Sequence, residues 1–151
     1  MGNTVDVQFA VENRKNLPTK KQFSHWANNV LNGTVDEAKL TIRIVDETEG
    51  RELNEHWRKN KRGPTNVLSF PAGDNGFGDP DYLGDIVICA PVVLREAEEQ
   101  GKSALAHWAH MVVHGILHLL GHDHESAIDA DKMEAIEIEK LDTLGFDNPY
   151  N

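Results

Sequence analysis

His114-Gly115-Ile116-Leu117-His118-Leu119-Leu120-Gly121-His122-Asp123-His124 ends an apolar segment with two histidines one helical turn apart, then a glycine, then two further histidines. Upstream of it, Ser103 opens a helical pattern in which Leu105, Trp108, Val112, Val113, Ile116, Leu117, Leu119 and Leu120 leave almost no polar face. A helix that is apolar nearly all round must be enclosed by other elements, so the pattern predicts a central helix. Gly121 is placed to stop it, because a glycine takes up the left-handed conformation that commonly ends a helix. At about 100° per residue, His107, His110, His114 and His118 fall along one stripe of this helix.

Positions 114 and 118 are i and i+4, which puts their Cβ atoms about 5–6 Å apart. Two imidazoles at that separation can converge on one ion at about 2.0–2.1 Å each. Beyond Gly121 the chain turns back and His124 supplies a third nitrogen, with His122 as its rival. One helical histidine is ordinarily a satisfied core or surface residue, but three at ligand spacing make that explanation a triple coincidence. Three histidines leave a fourth position for water, as in catalytic rather than structural sites. Zinc suits this ligand set best, although nickel, copper and iron also accept imidazole nitrogen. His107 and His110 then line the helix or support the ligands from behind.

The spacing His-x-x-x-His-x-x-Gly-x-x-His resembles the metzincin ligand template. In that template a glutamate follows the first histidine and serves as general base; here the residue is Gly115. Losing an acid/base group costs about 10²–10⁴-fold in rate, so peptide hydrolysis becomes the weaker expectation unless Asp123, Glu125 or Asp85 takes the role. A phosphodiester asks instead for in-line positioning, charge neutralisation and an activated nucleophile, which in RNA can be the 2′-hydroxyl. Arg58 heads the basic run Arg58-Lys59-Asn60-Lys61-Arg62 and is the candidate phosphate-holding residue; the plainer account is a solvated charge at a helix end. Asp85, Ser69 and Asp123 are the acid/base candidates.

Outward from this segment the chain alternates strands and helices. Val5, Val7, Phe9 and Val11 have the period of a half-buried strand, and Leu40, Ile42 and Ile44 repeat it. Thr19 and Gln22 form a capping box ahead of the stripe Phe23, Trp26, Ala27, Val30, Leu31. Residues 48–59 read as a helix with Leu53 and Trp57 four apart, Val67 to Phe70 as a short strand, and Asp74 to Asp81 as an exposed loop. Leu83 to Cys89 is apolar enough for a central strand, Pro91 suits the first turn of the next helix, and residues 127–144 form a last helix burying Met133, Ile136, Leu141 and Leu144. The acidic residues of 125–147, Glu137 among them, are read as a solvated helix face. The expected architecture is a single α+β domain over 1–151. A small mixed sheet packs against about five helices, and the metal site lies on the central helix and the turn after it. Strand order is not legible.

Composition narrows the setting. No apolar run approaches the ~20 residues of a membrane span. Met1 to Phe9 lacks the basic and apolar regions of a signal peptide. The lone Cys89 allows no internal disulfide. A cytoplasmic protein without a membrane partner is expected. The net charge of −10 disfavours nucleic acid as a partner when taken alone.

The histidine segment, together with Pro64-Thr65-Asn66-Val67-Leu68-Ser69-Phe70-Pro71 and Leu83-Gly84-Asp85-Ile86, resembles the signatures of the YbeY family of bacterial endoribonucleases, in order and spacing across nearly the whole chain. The resemblance implies an α+β fold with a Zn²⁺ site at His114, His118 and His124, and a functional role for Arg58, here preceded by Trp57 where a tyrosine is common. It also implies single-strand-specific cleavage of RNA in rRNA maturation, at the 16S rRNA 3′ end, and in ribosome quality control. The implied partners are single-stranded rRNA, the small ribosomal subunit and assembly factors. Two other functions are carried forward: a metal-dependent hydrolase acting on peptides, and a non-catalytic ribosome-assembly factor with structural zinc.

Overall fold

The computed structural model describes residues 3–32, 37–58, 61–72, 80–123 and 125–151. In chain order these form β1 (Thr4–Ala10), α1 (Lys20–Leu31), β2 (Lys39–Val45), α2 (Glu47–Trp57), β3 (Val67–Pro71), β4 (Tyr82–Cys89), α3 (Ala90–Gln100), α4 (Ala104–Leu119) and α5 (Ala127–Thr143). The expected α+β architecture, with a small mixed sheet and five helices among the described residues, is the one found. The expected loop at 74–81 lies outside the described residues up to position 79.

The sheet runs β1-β2-β4-β3, with β1, β2 and β4 parallel and β3 antiparallel to β4 at one edge. Apolar side chains alternate between two clusters, as the two-residue period of a strand demands. Val7, Ile42, Ile44, Ile86 and Ile88 face α1 and α4 in the main core. Val45, Leu68, Val87 and Cys89 face the other way, with Leu53 of α2 against them. Helix α3 bridges the two, giving Val93 to the first cluster and Val92 to the second. β4 is apolar on both faces because it lies between β2 and β3 with helices above and below.

Helix α4 is the central element the apolar pattern predicts: Trp108, Val112, Val113, Ile116 and Leu117 are all buried. Each fully buried aliphatic side chain of this kind contributes about 1.5–3 kcal/mol. Local signals set the ends of the helices. Thr19 and Gln22 exchange both capping-box hydrogen bonds at the start of α1, and Ser103 caps α4 by accepting from the Ala106 amide. After α4, Gly121 has φ +98° with open space around its Cβ position, so the turn needs the glycine for its backbone angle rather than for room.

Candidate metal centre

The four histidines of the α4 stripe face different surroundings. His107 and His110 are buried; His114 and His118 are half-buried and open on a cleft of about 680 Å³. The Nε2 atoms of His114 and His118 lie 3.1 Å apart. Arg58, at the C-terminal cap of α2, lines the same cleft, as do Ser69, His122 and Asp123. Arg58 is held in a backbone turn, its amide donating to the Asn54 carbonyl at 2.8 Å and its carbonyl accepting from Lys61 at 2.8 Å. The arginine and the two histidines, more than fifty residues apart in sequence, therefore line one cavity. Lys59 and Asn60 of the basic run, and the predicted ligand His124, lie outside the described residues.

Behind the cleft sits a group that the sequence reading misplaced. Glu137 belongs to α5, but it is 1% exposed rather than part of a solvated acidic face. Its carboxylate accepts from His114 Nδ1 at 3.0 Å, His110 Nε2 at 2.5 Å and the Tyr150 hydroxyl at 2.6 Å. Burial alone pushes a carboxyl up, but these three hydrogen bonds outweigh it and bring Glu137 down to about 2. Burial and the bond to Glu137 push the Tyr150 phenol well above its usual range, so it stays protonated and donates. With Glu137 ionised, His114 carries its proton on Nδ1 and turns the lone pair of Nε2 toward the cleft. A periodic signal for Glu137 was present: it lies four residues after Met133 and four before Leu141, both buried. Tyr150 gave no such signal.

Two metal-capable sets share His114. His110, His114 and Glu137 offer ligand-type atoms that all lie within 4.8 Å of one another. On the cleft side, His114 and His118 present two nitrogens at 3.1 Å, against about 3.3 Å for two ligands at 2.0–2.1 Å on a tetrahedral ion. The nitrogen donors and their aqueous face suit zinc chemistry.

The acid/base candidates separate. Asp85 sits on the sheet face opposite α4, where it accepts from the Tyr82 hydroxyl and lines a second groove. Strand parity explains this: Ile86 and Ile88 point toward α4, so Asp85 and Val87 point away. Ser69 Oγ donates to the Gly115 carbonyl at 2.9 Å, tying the edge strand to the metal helix. Asp123 is exposed at the cleft. His107 Nε2 donates to the Glu96 carboxylate at 2.9 Å, and Glu96 also accepts from the Asn66 side chain at 3.0 Å, so this histidine braces the start of β3.

Gly115 has a spatial reason. A Cβ there would lie 2.9 Å from Ile86 Cγ2 and 3.3 Å from Val67 Cγ2, so α4 rests directly on β3 and β4 at this point. The place of the metzincin glutamate is filled by the sheet itself.

Fold and site together define an α+β domain whose buried helix presents paired histidines, backed by a carboxylate, to a cleft of substrate size. A family model described as Endoribonuclease YbeY matches residues 8–145, and the chain belongs to this family of endoribonucleases. It is thereby a nuclease by class, with RNA as its substrate type. The solution structure of TM1509 from Thermotoga maritima is similar, with a TM-score of 0.58, 25% identity and 91% of each chain covered. No helix among the described residues is long and apolar enough to cross a membrane.

Proposed function

We propose that this protein, acting as one domain over residues 1–151, is a zinc-dependent endoribonuclease that cuts single-stranded RNA. Its metal ligands are His114, His118 and His124. The proposed setting is the cytoplasm, in maturation of the 16S rRNA 3′ end and in ribosome quality control, with the small subunit and assembly factors as partners. The observation that carries the reading is the pair of Nε2 atoms at 3.1 Å facing a cleft shared with Arg58. The inner set of His110, His114 and Glu137 is better suited to support than to catalysis. Its contacts have hydrogen-bond lengths, and its carboxylate is sealed from the water a hydrolytic centre must admit.

A zinc ion bound there supplies Lewis-acid activation at neutral pH. The protein's own groups do the rest. Glu137 holds the His114 ring in one tautomer and one orientation. Arg58 neutralises phosphoryl oxygens, to which its planar fork is matched. Asp123 is the one acid/base candidate that lines the cleft with its carboxylate exposed. Cleavage of single-stranded RNA by purified wild type, His114→Ala and Arg58→Ala, with metal content measured on each, tests the proposal. Loss of both cleavage and metal is expected for His114→Ala. For Arg58→Ala we expect a loss of about 10²–10³-fold with metal retained. Metal-loaded wild type that cuts no RNA would sink the idea.

One observation favours a second reading. β3 is an edge strand beside the metal helix, and an extended peptide could add to such an edge. A peptide-substrate screen separates the two. The assembly-factor reading instead requires that His114→Ala lower the melting temperature sharply while wild type turns over nothing.

A further inference from the structure

Of the three tryptophans in the chain, Trp26 and Trp108 are core residues, 4% and 0% exposed, whereas Trp57 is 62% exposed. Its partner in the expected helical stripe, Leu53, packs against the sheet, so the stripe splits at the last residue of α2. Trp57 immediately precedes Arg58 and lines the cleft that holds His114. Near-perpendicular ring contacts to Phe70 (centroids 5.8 Å apart) and His56 (4.9 Å) hold the indole upright while most of it remains in solvent. Trp57 and Phe70 also line the groove on the far side of the sheet edge, so the indole forms the ridge between the two depressions.

A large aromatic left in water at the lip of a cleft gives up the stabilisation that burial would bring, and the core cluster lies one helical turn away at Leu53. With a net charge of −10 the long-range field repels a polyanion, so affinity for RNA has to come from local contacts. Stacking of a base on an aromatic ring is such a contact. It depends little on base identity and, unlike phosphate contacts, does not act through counterion release. We propose that Trp57, backed by Phe70, is a nucleobase-stacking subsite: one unpaired base lies on the indole while Arg58, the next residue, holds a neighbouring phosphate. In a duplex the base faces are already stacked, so this subsite selects for single strands. The inference rests on the RNA-cleaving reading and adds to it the residue that discriminates strandedness.

Kinetics and fluorescence test it. Trp57→Ala should raise KM for a single-stranded oligonucleotide by roughly 5- to 150-fold, with the change carried by KM rather than kcat. Trp57→Phe should recover most of it. The slope of log affinity against log salt should be unchanged in Trp57→Ala and reduced by about one phosphate in Arg58→Ala. Because the other two tryptophans are buried, quenching of the exposed indole by a single-stranded oligonucleotide, and not by a blunt duplex, reports the stack directly. Trp57→Ala with wild-type KM, or equal losses in the alanine and phenylalanine variants, overturns the subsite alone. A wild type that cuts no RNA overturns the underlying function, and the two failures are distinguishable.

Discussion

The inner and outer pairs of histidines on α4 share a helix and a stripe, and they end in opposite situations. His107 and His110 each meet a carboxylate, Glu96 and Glu137, and are buried. His114 and His118 meet each other at the wall of a cleft. His114 belongs to both regimes, one ring nitrogen on Glu137 and the other at the cleft. Residue type and periodicity set the ladder; the neighbouring elements decide which rungs hold the fold and which are left for chemistry.

The sharpest way to break this contrast is at the residue that separates the pairs. Glu137→Gln cannot accept from two imidazoles through equivalent oxygens, so one histidine loses its partner. We expect zinc affinity, measured by competition with a chromophoric chelator, to fall about 10- to 100-fold while the variant remains folded. Unchanged affinity would show that the brace does not matter to the ligand. A second break is mechanical. Gly115→Ala pushes a methyl against Ile86 and Val67, and urea unfolding should show a loss of about 1–3 kcal/mol. A neutral result would mean that α4 can lift off the sheet. The smallest effect sharpens the inner pair. Burial pushes His107 below the usual histidine range, and Glu96 only partly offsets it. The unfolded chain therefore takes up a proton near pH 6.5 that folded His107 resists. Its contribution to stability is full above that pH and is lost as pH falls below it. Urea midpoints at pH 7.5 and 5.5 should differ less in His107→Leu than in wild type; an equal difference would remove His107 from the account.

What was legible in the sequence is what short-range rules control. Thr19, Ser103 and Gly121 announce helix ends through bonds and angles within a few residues, and the apolar wrap of α4 announces its central place. The histidine pair followed from the same 3.6-residue geometry. Glu137 was readable in principle from the Met133–Leu141 stripe, but a carboxylate is seldom buried unless partnered, and its imidazole partners lie on another helix. Asp85 was misjudged because β4 is apolar on both faces, so the pattern does not say which face carries α4. Trp57 looked like half of a core stripe, and only the position of α2 against the sheet shows that the stripe ends at Leu53.

The brace on His114 also has an order in time. Synthesis runs from the N-terminus, so α4 and its histidines leave the ribosome before Glu137, and Glu137 before Tyr150. A nascent chain cut short ahead of α5 would carry His114 and His118 without the carboxylate that orients the first of them. The carboxylate that orients His114 therefore joins the site only after the histidines it braces.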